Sequence, residues 1–311
     1  MWNGKSLCLL VMLMIGISGC IGDDGDGCFT KAVLYISVAG GQCTPYAISD
    51  EETGDDETSG VEDVVVSIFD GDSELERVVT LTGEEIERRT PIEINVKYGQ
   101  HPQVVVWGNL NNTKDIDHIT PGMQLSSARV DMAERDGYAL PADKYYYGFG
   151  ELTDEKVQEI VISNWVGCVI VTVRGIENAV NEADNYYFII ESKYNSYDFY
   201  GQPQEGNVLV KENAESAVYQ QEEVLVQKPV NLVGYPDNFN TSQTIIVKLY
   251  QRTPEGDRLI ASADKDKEGN RIISRIGEKT NVLLDLTDKN NMGVYVEITP
   301  WDYIFQWAWW K

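Results

Sequence analysis

The sequence predicts an all-β protein built as two tandem β-sandwich domains, and three observations carry that prediction. Short apolar or β-branched runs alternate with period two and are bounded by Gly, Asn, Asp and Pro, the pattern of half-buried strands and turns. No regular series of strand followed by helix appears, which argues against α/β architectures. A chain of 311 residues, 42% hydrophobic and 24% charged, suits two compact cores of roughly 100–200 residues each.

The front end is a targeting segment. Met1–Lys5 supply one positive charge, and "LCLLVMLMIGI" from Leu7 to Ile17 has the length of a signal-peptide core rather than of a membrane span. The "ISGC" that follows, with Ser18 and Gly19 before Cys20, resembles the lipobox of bacterial lipoproteins. That resemblance makes residues 1–19 a signal peptide and Cys20 the lipidated residue. More than one acyl chain gives stable anchoring, and residues 20–27, ending in "IGDDGDG", have the composition of a flexible tether. Acidic residues just after the cysteine also resemble the surface-export signal of Bacteroidetes lipoproteins. The expected location is the outer membrane, on the cell surface.

Removing residues 1–19 takes one Lys and no acid, so the formal charge of −25 becomes −26. Such a field opposes nucleic-acid backbones and anionic headgroups, so nucleic acid is not an expected partner.

The first sandwich is assigned to residues 28–157. Its expected strands are Lys31–Val38, Val64–Phe69, Arg77–Leu81, Ile92–Tyr98, Val104–Trp107 and Tyr145–Phe149. "SDEETGDDETSG" from Ser49 to Gly60 reads as an acidic loop, since its spacing is not that of a calcium-binding EF-hand. Thr82 with Glu85 three residues on predicts a capping box and a short helix. "QLSSARVDMAERD" is ambiguous, and "LTDEKVQEI" reads as a turn, a short helix or the lead-in to a strand.

The second sandwich is assigned to residues 158–311, with the break between halves near residues 151–163. Its expected strands are Val166–Arg174, Tyr186–Glu191, Val208–Lys211, Val224–Gln227, Ser242–Gln251, Arg258–Ala263, Arg271–Ile276, Val282–Leu286 and Val294–Ile298. Among the cysteines, Cys28 and Cys43 are candidates for a disulfide if they fall opposite each other, as an exported protein permits. Cys168, in "WVGCVIVTV", reads as a small buried hydrophobe.

Catalytic and metal constellations do not stand out. The two histidines, His101 and His118, have no second ligand at zinc spacing. There is no G-x-S-x-G elbow and no phosphate loop, and fifty acids make any single carboxylate pair uninformative. The expectation is a protein that is not an enzyme and holds no cofactor or metal. Tyrosine clusters at "DKYYYGFG", "NYYFII" and "YNSYDFYG" could form a glycan platform, but tyrosine is also an ordinary strand former and core filler. In "DKYYYGFG", Tyr145 and Tyr147 share one strand face and Tyr146 takes the other.

After Pro300, which ends or kinks the preceding strand, Trp301, Tyr303, Phe305, Trp307 and Trp309 alternate along one side. Ten residues are too few to cross a bilayer. These five side chains are the candidate interface to a partner protein or to the neighbouring domain.

Three features in order, "ISGCIGDD" followed by Cys28, "YGQHPQVVVWGNLNN", and "VYVEITPWDYIF", resemble the fimbrial anchor and tip-associated lipoproteins of Bacteroidia, the FimB-like family of minor fimbrial subunits. The resemblance covers roughly Cys20–Trp301. It implies two transthyretin-like β-sandwiches, a lipid anchor at Cys20, and a structural role at the base of a fimbrium with fimbrillin or other fimbrial subunits as partners. "CFTKAVLYISVAGGQC" departs from the Arg- or Lys-rich start usual in the family. The alternatives are a tip adhesin or a surface glycan-binding lipoprotein.

Overall fold

The computed structural model describes residues 29–39, 60–97, 99–110, 113–114, 119–153, 155–219, 222–236, 244–288 and 291–301. The first strands are β1 (Phe29–Val38), β2 (Asp63–Phe69), β3 (Leu75–Thr82), β4 (Ile92–Lys97) and β5 (Gln103–Gly108). Small strands β6 (Thr113–Lys114), β7 (Arg129–Met132), β8 (Glu134–Arg135) and β9 (Tyr138–Ala139) lead to β10 (Tyr146–Glu151) and β11 (Val157–Asn164). The second half holds β12 (Val166–Arg174), β13 (Tyr186–Asp198), β14 (Pro203–Tyr219), β15 (Glu222–Gln227) and β16 (Val230–Val233). It ends with β17 (Ile246–Gln251), β18 (Arg258–Ala263), β19 (Glu278–Asp285) and β20 (Gly293–Pro300). Among the described residues helix is confined to short connectors, α1 (Gly83–Glu87) and α2 (Ala179–Glu182) among them.

The strands form two large sheets. The first runs β3-β2-β5-β10-β11-β1-β4, and the second runs β18-β17-β13-β14-β15-β12-β19-β20, with β16 on β12 and β7 on β13. The small β8–β9 hairpin stands apart. β11 belongs to the first sheet, paired parallel to β1 and antiparallel to β10.

Period-two alternation sets the first core. Ala32, Leu34 and Ile36 of β1 and Ile92, Ile94 and Val96 of β4 turn inward and meet Val64, Val66 and Leu81 from the far end of the same sheet. Strands at opposite ends can share one cluster only if the sheet curls around it. Gly148 and Gly150 permit this on β10, since a Cβ at Gly148 would lie 2.9 Å from both Ile160 and Ile162 Cγ2. The helix α1 plugs the curl with Ile86. Its capping box is present: Glu85 N–H donates to Thr82 Oγ1 at 3.3 Å, and Thr82 N–H donates to Glu85 Oε2 at 2.8 Å. The bonds that the Thr82 N–H and hydroxyl donate to Glu85 Oε2 hold its carboxyl below the ordinary value.

β5 explains its own uninterrupted apolar run. Val104 and Val106 face the first core, while Val105 and Trp107 face a second core shared with the other sheet, so the strand is buried on both sides. β10 divides in the same way: Tyr146 joins the first core and Tyr147 the second, as does Tyr145 just before the strand. Cys168 is buried in that second core.

Several expected elements differ. Arg271–Ile276 is not a strand: its backbone makes single bridges, Lys265↔Arg271 and Tyr235↔Arg275, to two different segments. "QLSSARVDMAERD" resolves into a 3-10 turn at Leu125–Ser127, then β7 and β8. "LTDEKVQEI" is the entry to β11 rather than a helix. The pair β13–β14 is much longer than its apolar cores suggest, with register shifts between Ser192 and Tyr194 and between Tyr194 and Ser196.

One charged pair ties the ends of two neighbouring strands of the second sheet. Arg174 on β12 stands opposite Asp285 on β19, and its Nη2 donates to Asp285 Oδ2 at 2.6 Å with both side chains mostly buried. Burial pushes the Asp285 carboxyl up, but the bonds from Arg174 and from the Thr287 hydroxyl and N–H outweigh it, and the group stays below its ordinary value. A depressed folded value means the pair stabilises above the unfolded carboxyl's range and the contribution is lost as pH falls through the folded value. Asp285→Asn is therefore expected to cost about 1.5–3 kcal/mol at neutral pH. In urea titrations at stepped pH, the gap to the unsubstituted protein should close below about pH 4.

Candidate functional site

The two sheets meet through aromatic side chains from five separate stretches. Trp107 of β5 lies 4.6 Å from the Tyr147 ring of β10 and 5.6 Å from that of Tyr197 on β13. Tyr147 in turn lies 4.7 Å from the ring of Trp165, the residue joining β11 to β12. Phe69 meets Phe199 edge-on at 6.0 Å. The polar tips close on backbone: Tyr147 donates to the Phe199 carbonyl at 3.1 Å, and Trp165 Nε1 to the Gly201 carbonyl at 3.0 Å. The Tyr197 hydroxyl donates to the Trp165 carbonyl and accepts from Gly234 N–H, each at 2.6 Å. Burial pushes the hydroxyls of Tyr145, Tyr147 and Tyr197 well above their ordinary range, so they remain neutral donors.

Glycine makes the close approach possible. Gly201 has φ +74°, and a Cβ there would lie 2.7 Å from Tyr147 Cε1. At Gly167, on β12, a Cβ would fall 2.0 Å from Ser274 Oγ and 2.6 Å from the Arg275 carbonyl, so that position also admits only glycine.

The tyrosine clusters are thus structural filler for the most part. Tyr145, Tyr146, Tyr147, Tyr186, Tyr187, Tyr194 and Tyr197 are all buried. On the outer side of the second sheet, Tyr187 stacks on Tyr250 at 5.2 Å and donates to Asp257 Oδ2 at 2.7 Å. Lys211 Nζ sits 4.3 Å from its ring centroid. Burial and the Asp257 bond push its hydroxyl up to about 12.

The sequence candidates fall as follows. Trp301 is buried in the second core, directly after Pro300, which pairs with Glu278 at the end of the edge strand β20. Tyr303, Phe305, Trp307 and Trp309 lie outside the described residues, as do Cys20, Cys28, Cys43 and His118. His101 is exposed, with Nδ1 3.3 Å from the Leu152 carbonyl. Among the described residues no group of three His, Cys, Asp or Glu side chains could hold a metal ion. The junction formed by Trp107, Tyr147, Trp165, Tyr197 and Gly201 was missed as a unit; its only sequence signal is tryptophan or tyrosine within otherwise continuous apolar runs.

Among the described residues the large sheets end in β3 and β4, and in β18 and β20. These edges are partly engaged: residues 122–123 bond Leu75 of β3, the Arg77 guanidinium donates to the Glu93 carbonyl of β4, and Lys267 N–H donates to the Val294 carbonyl of β20, so an added strand could pair only with what remains. Fold and site together define a β-rich, two-sheet protein whose halves are joined by a cluster of buried aromatic side chains. The model of the fimbrillin-A associated anchor proteins Mfa1 and Mfa2 matches residues 26–307, and the chain belongs to this family. Its members are fimbrial structural proteins rather than enzymes.

Solved structures agree in fold. The fimbrial anchor protein Mfa2 from Porphyromonas gingivalis superposes with a TM-score of 0.56 at 14% identity, over 88% of this chain and 98% of that one. A candidate adhesin from Bacteroides ovatus gives 0.57 at 14% identity, over 87% and 94% of the two chains. A candidate polysaccharide-binding protein from Bacteroides thetaiotaomicron gives 0.57 at 12%, over 89% and 99%. No curated protein matches the chain.

Proposed function

We propose that this chain is a structural subunit of a cell-surface fimbrium, the lipid-anchored base or an accessory subunit that engages fimbrillin. The observation that carries this reading is family membership over residues 26–307. The terminal strands of the two sheets offer such a subunit a means of joining others through those backbone groups that are left unbonded.

The finer parts of the proposal rest on sequence. Residues 1–19 act as a lipoprotein signal, Cys20 carries the lipid in the outer membrane, and 20–27 form the tether. Cys28 and Cys43 pair as a disulfide. The halves are transthyretin-like sandwiches, and the pairing of β11 with β1 and β10 favours a division at Asn164 and Trp165 over one at residues 157 and 158. Tyr303, Phe305, Trp307 and Trp309 meet a partner subunit or the neighbouring domain, with Trp301 fixing the point from which they depart. A glycan-binding reading has less support, because most of the tyrosines it would use are buried.

Deleting the gene tests the function. Shafts are expected to be shed into the medium, and the tagged chain to co-purify with fimbrillin. Cell-bound fibres of unchanged length would sink the anchor role.

A further inference from the structure

The outer face of the first sheet keeps an apolar patch where the second half stops covering it. Tyr147 lies beneath Trp165 and Gly201, but on the same face of β10 Phe149 is 40% exposed, and Tyr200, its ring 5.9 Å away, is 44% exposed. On β11, Val161 is 55% and Val157 60% exposed. Tyr147 pairs with Ser163, so Phe149 and Val161, two residues further along each strand, share that face. Phe149 and Tyr200, in contact with each other, and Val161 across the β10–β11 pair leave apolar surface exposed, bounded on the same face by the exposed carboxylates of Glu151 and Glu159.

The described chain stops close to it. Pro300 pairs with Glu278; the adjacent Gly277 N–H donates to the Val166 carbonyl at 2.9 Å; and Trp165, one residue before, reaches Gly201 beside Tyr200. Burial of Trp301 in the second core fixes the exit point there. The ten residues that follow, "DYIFQWAWWK", hold five aromatic side chains, one acid and one base. Extended, they reach about 33 Å, whereas the five strand residues from Val166 back to Val161 span about 17 Å.

We propose that Asp302–Lys311 docks across β10 and β11, with the alternate rings of Tyr303, Phe305, Trp307 and Trp309 covering Phe149, Val161 and Tyr200. The occupant is this chain's own segment because it starts at the end of β19 and β20 that lies by the β11–β12 junction, is long enough to reach the patch, and carries few charges in an otherwise strongly acidic protein. The proposal is independent of whether the segment also meets fimbrillin.

Hydroxyl-radical footprinting read by mass spectrometry tests it on the mature chain and on one ending at Trp301. Removing the segment should raise oxidation of Phe149 and Tyr200 at least about fivefold, the ratio set by a docking preference of about 1 kcal/mol. Val180 and Leu259, exposed elsewhere, should stay constant and so report an intact fold. In the uncut chain, Val161→Asp should raise oxidation of Trp307 and Trp309 by a similar factor without perturbing the core. Equal reactivity of Phe149 and Tyr200 with and without the segment overturns the proposal. So does protection that grows with protein concentration, which would assign the patch to a second copy.

Discussion

Trp107→Ala is expected to destabilise the protein by about 3–5 kcal/mol, the range for emptying a buried tryptophan site, and to leave a single unfolding transition. Trp107 is fully enclosed and touches rings from both sheets, Tyr147 on β10 and Tyr197 on β13. Its Nε1 has no hydrogen-bond partner among the described residues, so the loss comes from packing rather than from an orphaned polar group. The core it fills runs without a break from Phe69 and Leu75 in the first half to Leu284 and Trp301 in the second. Weakening that core should therefore lower the stability of both halves together. Urea titrations followed by far-UV circular dichroism and by tryptophan fluorescence should shift by the same amount and coincide. Two separated transitions, with only one displaced, would show that the halves fold independently and that the aromatic junction is a contact rather than a shared core.

The parts of the fold legible in the sequence are those where side-chain period and backbone pairing coincide. Val166–Arg174 and Arg258–Ala263 are bounded as their apolar runs suggest, and Thr82 with Glu85 marks α1 because a capping box is a local device. Arg271–Ile276 was misleading since Ile272 and Ser274 do alternate inward, yet the hydrogen bonds of that stretch go to Asp264 and Tyr235 in turn rather than to one neighbouring strand. The extension of β13 through "SKYNSYD" was hidden by its register shifts, which break the period on which strand reading depends. Its closing turn is readable only afterwards: Asp198 Oδ1 accepts from the N–H groups of Tyr200 and Gln202, and Gly201 supplies the positive φ. The junction is a different case. Each of Trp107, Tyr147, Trp165 and Tyr197 reads as an ordinary buried ring, and their convergence is set by the packing of one sheet on the other, which no local pattern encodes.

With an ordinary cleavable secretory signal in place of residues 1–19, Cys20→Ala is expected to transfer the protein almost completely from the membrane fraction to the medium, and fimbrial shafts with it. The reasoning follows from what else could hold it. No helix among the described residues is long and apolar enough to cross a membrane. The mature chain carries a formal charge of −26, one Lys fewer than the −25 of the whole, so anionic headgroups repel it. On the proposed reading, acyl chains on Cys20 then supply nearly all of the membrane affinity, at about 0.8 kcal/mol per buried methylene. Losing them removes the anchor while leaving the sheet edges and the aromatic junction untouched. The secreted variant should accordingly still bind fimbrillin and unfold at the same urea concentration as the parent. Fractionation and blotting read the first outcome, and co-purification from the medium reads the second. Retention of the variant in the membrane at the parent's level would show that a protein surface, not the lipid, holds the fimbrium to the cell.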